Sequence, residues 1–146
     1  MAGDTVYGKT EWGEFELKEL PPATTLTARS EGTYFGEENG LFMKLFGFIR
    51  ANEVGMTVPV EVELEPGTMR FFVGENDARK TLKDTTDVSV GQREADTVAS
   101  HGVRGAYSEK NARKAIARLE EWLAQQPGVV AVGAPYMVYW NSPLRP

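Results

Sequence analysis

Few side chains in this 146-residue chain combine type and spacing in a way that could do chemistry. His101 is the only histidine, and so the only imidazole that could ligate a metal or act as a general base. It is the candidate metal ligand; the competing reading is a strand residue on a partly wet sheet face. Asp96, Ser100 and Ser108 lie near it in sequence. Adjacent strand residues point to opposite faces, which argues against a hydrolytic triad. Met56 offers a thioether ligand or a filler between a helix and a sheet. Glu61 and Glu63 alternate with Val60 and Val62, so they face away from the apolar side of their strand. They are either solvated, or one lines a pocket with Tyr136 or Trp140, its pKa raised by burial for acid–base work. Phe42 and Phe46 stand one helical turn apart, as a flat aromatic surface or as core. Lys110, Arg113, Lys114 and Arg118 form a basic stripe, a solvated face or a dock for an anion.

What is missing narrows the chemistry. The chain has no cysteine, which excludes thiolate catalysis, thiolate metal sites and disulfides. Asn76-Asp77, Asp84 and Asp87 lack the spacing of a calcium loop, and neither a Gly-x-Gly-x-x-Gly nor a Walker sequence is present. Net charge is −5 and uneven: residues 1–73 carry 12 acidic and 6 basic side chains, residues 74–146 carry 9 and 10. That balance disfavours nucleic acid as a partner. Residues 1–9 contain no apolar core and no run approaches about 18 apolar residues, so neither export nor membrane insertion is expected and the cytoplasm is the default compartment.

The elements that must position these residues follow from periodicity. Phe15 and Leu17 alternate with Glu16 and Lys18, predicting a strand over 12–19 that Pro21-Pro22 ends, with the next strand at 23–30. Phe42, Leu45, Phe46 and Ile49 predict a helix over 37–50. Val58, Val60, Val62 and Leu64 predict a strand, Pro66-Gly67 the two central residues of a type II turn, and 69–73 the return strand. Residues 74–87 read as a linker, followed by strands at 88–94 and 96–105. A second helix starts at the expected N-cap Ser108 and stops at Pro127-Gly128, and a last strand covers 129–140. Gly32-Thr33-Tyr34 with Glu37-Glu38-Asn39 is echoed by Gly105-Ala106-Tyr107 with Glu109-Lys110-Asn111. One 1–146 domain of two half-repeats, about 1–73 and 74–146, is expected, each helix covering its own antiparallel sheet.

The helix followed by Ala51-Asn52-Glu53 and Gly55-Met56-Thr57-Val58-Pro59-Val60 resembles the SOUL haem-binding protein family. Phe15 to Ala23, Gly105-x-Tyr107 and Tyr139-Trp140-Asn141-Ser142-Pro143 resemble its other landmarks in order. The resemblance implies an α+β fold, a pseudo-twofold distorted antiparallel β-barrel of two sheets flanked by two helices. It implies a small hydrophobic ligand, haem or another tetrapyrrole, in an apolar groove beside the first helix. Phe42, Met43, Phe46 and Gly47 would line that groove and Arg145 would meet the carboxylates. Where some members carry a proposed histidine ligand and a basic residue on the first helix, this chain has Glu19 and Gly47. The half-repeat also resembles the fold-related GyrI-like domains, which implies as an alternative a site for lipophilic or cationic molecules, or their hydrolysis by a pocket Glu and Tyr.

Overall fold

The hairpin that follows the first helix sets the pattern of the fold. In a computed structural model describing residues 5–105 and 108–140, Val60–Leu64 (β3) and Gly67–Val73 (β4) pair antiparallel, with Leu64 opposite Gly67. The two loop residues are therefore Glu65 and Pro66, joined by a cis peptide bond, rather than Pro66 and Gly67. Gly67 is needed for close approach instead of for a turn. A Cβ there would lie 2.7 Å from Ser30 Oγ and 2.8 Å from the Tyr34 nitrogen. Its own N–H donates to the Gly32 carbonyl at 2.7 Å, tying the hairpin to the start of the first helix.

Around this hairpin lies a five-stranded antiparallel sheet. Ala23–Arg29 (β2) pairs with β4 on one side and with Ser89–Arg93 (β5) on the other. Met137–Tyr139 (β7) pairs with β3, giving the order β5-β2-β4-β3-β7. A separate two-stranded sheet pairs Phe15–Leu20 (β1) with Asp96–His101 (β6). The α+β class holds, and the two sheets are not closed into a barrel. Each sheet takes strands from both halves of the sequence, so the expectation that each half builds its own sheet is replaced by an exchange of strands. Pro21 and Pro22 supply no N–H between β1 and β2, and the chain turns there from one sheet to the other.

Tyr34–Ala51 (α1) covers one face of the larger sheet. Leu41, Leu45 and Ile49 point inward onto Leu26, Ala28, Val60, Val62, Met69 and Phe71, and together they form the apolar core. The helix begins three residues earlier than periodicity predicts because Tyr34 is itself buried in that core. Its end explains the Asn52-Glu53 signature. The Val54 N–H donates to the Ile49 carbonyl and the Glu53 N–H to that of Arg50, with Glu53 at φ 55°: a Schellman stop with glutamate in the left-handed position. Thr57 Oγ1 then donates to the Phe72 carbonyl at 2.7 Å, and Pro59 is fully buried, so the Met-Thr-x-Pro-Val run packs the chain back onto β4.

Glu109–Ala124 (α2) packs on β6. As expected, Ser108 caps it, its hydroxyl accepting from the Asn111 N–H at 3.1 Å. Residues 129–134 do not form the expected start of β7: Val130 is 82% and Val132 99% exposed. β3 pairs with β7 only over Val60–Val62, so the apolar run before Met137 has no strand partner among the described residues.

Glu53 carries a strain that glycine would not. A left-handed residue with a Cβ costs roughly 1–2 kcal/mol, against about 0.5–1 kcal/mol of extra chain entropy that glycine loses on folding. Glu53→Gly is expected to stabilise the protein by about 0.5–1 kcal/mol in urea unfolding, the difference of those terms; a destabilised variant would show that the Glu53 side chain contributes more than its strain costs.

Candidate functional site

The residues assigned to the ligand surface are brought together on α1, in two roles. Phe42 is 8% exposed and meets Phe71 edge-on, with ring centres 5.7 Å apart. Phe46 is half-buried and lies almost parallel to Phe42, 5.8 Å away at 13°. Met43 is 56% exposed, and a Cβ at Gly47 would meet nothing within 4 Å. At helical spacing Met43 and Gly47 share one outward line, flanked by Phe46 on one side and Lys44 on the other. The result is an open shelf rather than a walled groove. Arg50 sits 5.7 Å over the Phe46 ring, and Lys44 Nζ is 4.0 Å from Asp87 Oδ1, so the shelf is apolar with cationic edges.

His101 belongs to a different part of the molecule. It lies at the end of β6, its ring stacked 3.9 Å from Phe15, which stacks in turn 5.5 Å from Trp122 of α2. Its Nδ1 is 3.0 Å from the Glu14 carbonyl, and its Nε2 is buried without a protein partner. Imidazole and α1 shelf are therefore attached to separate sheets. Arg145 lies outside the described residues, as do Tyr107 and Asn141 to Pro143. Met56 packs against the core, and the basic stripe on α2 is exposed, with Arg113 paired to Glu109 at 2.8 Å.

The strongest cluster of charged groups was not foreseen from sequence. Glu61 does face away from the Val60/Val62 side, but it is fully buried. Arg70 Nε donates to its Oε1 at 2.9 Å, Arg93 donates to both oxygens at 2.8 and 3.1 Å, and Tyr7 Oη donates to Oε2 at 2.6 Å. Arg70 also reaches Glu63 at 3.0 Å, and the Arg70 guanidinium stands 5.6 Å from the Tyr136 ring. Arg93 comes from β5, three strand positions away from β3. In a flat sheet that is roughly 14 Å, so the sheet must curl around this face. The curl lets Arg93 pass 4.9 Å over Phe72 to the carboxylate. Tyr7 is wedged edge-on between Phe72 and Trp140.

The electrostatics correct the sequence expectation for a pocket acid. Burial pushes the Glu61 carboxyl up, but the hydrogen bonds from Arg93 and Tyr7 and the two guanidinium charges outweigh it. Its pKa is held below the ordinary 4.5, so it is a fixed anion and not a proton shuttle. Burial, and then the Glu61 charge, raise the Tyr7 hydroxyl far above its usual range and push Tyr136 up to about 12. The turn expected at Pro66-Gly67 would set residue 61 opposite 72; the observed loop at 65–66 shifts the register and sets Glu61 opposite Arg70. Arg93 and Tyr7 carry no local signal.

Because the folded carboxyl titrates below 4.5, its stabilisation is complete above that pH and is lost as pH falls below it. Glu61→Gln leaves two guanidiniums beside a neutral amide and is expected to cost about 3–5 kcal/mol at pH 7. The same variant should lose less further stability than wild type between pH 4.5 and pH 3, which chemical unfolding at stepped pH measures. Equal acid slopes in the two proteins would place the acid sensitivity in other carboxylates.

The comparisons with known proteins agree with the signature on α1 and β3. The profile described as SOUL heme-binding protein matches residues 5–146. No curated protein matches the chain. With a match across nearly its whole length, the chain belongs to the SOUL heme-binding protein family.

Proposed function

We propose that this protein binds a tetrapyrrole, with haem as the leading ligand, on the outer face of α1. The observation that carries this reading is the exposed apolar surface of Met43 beside Phe46, open at Gly47 and edged by Lys44 and Arg50. A flat macrocycle gains affinity by covering apolar surface, and its carboxylates favour cationic neighbours. The absence of a side chain at Gly47 lets a planar ring approach the helix backbone, which a lysine or leucine there would hold off. Family membership supports the ligand class.

These residues suit reversible ring binding more than catalysis. Bound haem would supply iron redox and ligand chemistry; the chain supplies the surface that holds the ring. His101 is placed in the Phe15–Trp122 stack with its Nε2 enclosed, so in this reading it supports the β1–α2 contact and the ring is held through its face. The alternative with a pocket Glu as base has less support, because Glu61 is committed to two arginines and a tyrosine.

Haemin titration followed by the Soret band tests the reading. Phe46→Asp and, at the more exposed site, Met43→Glu are each expected to weaken binding at least about tenfold, the equivalent of about 1.4 kcal/mol. Both proteins should remain folded by circular dichroism, Met43 being largely outside the core. His101→Ala is expected to keep the shifted band. Unchanged affinity in folded Met43→Glu and Phe46→Asp would move the ring off α1, and loss of the shift in His101→Ala alone would place it at the β6–α2 contact.

A further inference from the structure

The ladder between β3 and β7 stops early, and a cleft opens where it stops. Continued in register past Val62 and Met137, it would set Glu63 opposite Tyr136 and Leu64 opposite Pro135. Proline has no N–H to give to a ladder, and the chain parts from β3 there. A space of about 320 Å³ takes up the gap, lined by Glu63, Leu64 and Glu65 at the end of β3 and by Ala134 and Pro135. From α2 come Arg113, Ile116, Ala117 and Glu120, a single line at helical spacing. The lining is apolar at its centre, where Leu64 is buried and Ile116 packs against the core, and its free charge has one sign. Glu63 is paired with Arg70 and Arg113 with Glu109, whereas Glu65 and Glu120 have no ion-pair or hydrogen-bond partner among the described residues. Apolar surface runs on beyond the cleft: Val130 and Val132 are exposed, and residues 122–144 include no charged side chain.

We infer that residues 129–134 and this cleft dock an extended segment of a partner protein that carries both apolar and basic side chains. The segment adds as a strand beside 129–134, sets an apolar side chain into the cleft and brings a basic one to Glu65 and Glu120. β7 is the last strand of its sheet, so the backbone leading into it lies at an edge. Residues 128–134 read Gly-Val-Val-Ala-Val-Gly-Ala, uncharged, free of proline and rich in valine, which is strand composition. Six extended residues reach roughly 20 Å. That is too long a surface for a small molecule held in a cleft near the lower limit of ligand pockets, roughly 300 Å³. A second copy would cover the same valines but bring its own Glu65 and Glu120, and its net charge of −5, against the first. A basic partner meets the two unpaired carboxylates instead. None of these residues lies on α1, and ring binding there neither requires nor excludes the docked strand.

Fluorescence anisotropy on the full chain, at about 0.15 M salt to screen distant charges, tests this with three labelled octapeptides. They are four Val-Lys repeats, four Val-Glu repeats, and the Val-Lys sequence with every backbone amide N-methylated, which removes the ladder donors. Wild type is expected to bind the Val-Lys peptide saturably and at least about tenfold tighter than either of the others. Glu65→Gln/Glu120→Gln is expected to narrow the preference for lysine over glutamate to less than about threefold. Val132→Asp is expected to weaken Val-Lys binding at least about tenfold. The three substituted side chains are exposed, so both variants should keep the wild-type circular dichroism. That pattern supports the docked strand. No saturable binding, equal binding of the Val-Lys and Val-Glu peptides, a preference that survives Glu65→Gln/Glu120→Gln, or full affinity of the N-methylated peptide overturns it. A dimer in sedimentation velocity that Val132→Asp dissolves would assign the valines to a second copy. Amide NMR shifts at Leu64 and Ile116 on adding benzyltrimethylammonium, with no peptide bound, would assign the cleft to a small cation. Either of these results also overturns the partner segment.

Discussion

A fully buried carboxylate can persist only if its charge and both oxygens are satisfied, and Glu61 imposes that demand on most of the fold. Its partners come from β4, from β5 and from the segment preceding β1. No two of them are neighbours in sequence, so the network forms only when the sheet has its final order and curl. It also divides the sheet chemically. One face packs on α1; the other holds two arginines, two tyrosines and a tryptophan around Glu61, with Glu63 paired to Arg70 at 3.0 Å. Any activity that needed Glu61 to exchange protons or bind a cation would first have to displace that set.

That division leaves the outward side of α1 exposed. The helix is anchored from within by Leu41, Leu45 and Ile49 and stopped by the left-handed Glu53, so its outer line is presented on a rigid element. The Lys80 ammonium donates to the Glu53 carbonyl and pairs with Asp77 at 3.0 Å, which closes the last turn from outside. Binding on a packed helix loses little conformational entropy compared with ordering a loop.

His101 and Glu61 show what surroundings add to residue type. As the only imidazole, His101 drew the metal reading, yet its surroundings are a stack of aromatic rings and a backbone carbonyl. Alternation placed Glu61 correctly with Glu63 on the far face of β3, where the sequence allows a solvated or a pocket-lining residue; the curl of the sheet makes it the most enclosed charge among the described residues.

The sequence by itself determined what local energetics dictate. The two helices, the Ser108 cap, the β3–β4 hairpin and the family signature all depend on contacts within a few residues, where periodicity, capping and turn chemistry act. The joint position of Phe42, Met43, Phe46 and Gly47 on one helix is legible for the same reason. Tertiary structure alone decided which strands became neighbours, because backbone pairing is indifferent to the half of the chain that supplies a strand. It decided that 129–134 has no partner strand among the described residues, that Gly67 serves close approach, and that Arg93 and Tyr7 converge on Glu61. Those outcomes depend on burial and on long-range desolvation, which become fixed only once the sheet has curled.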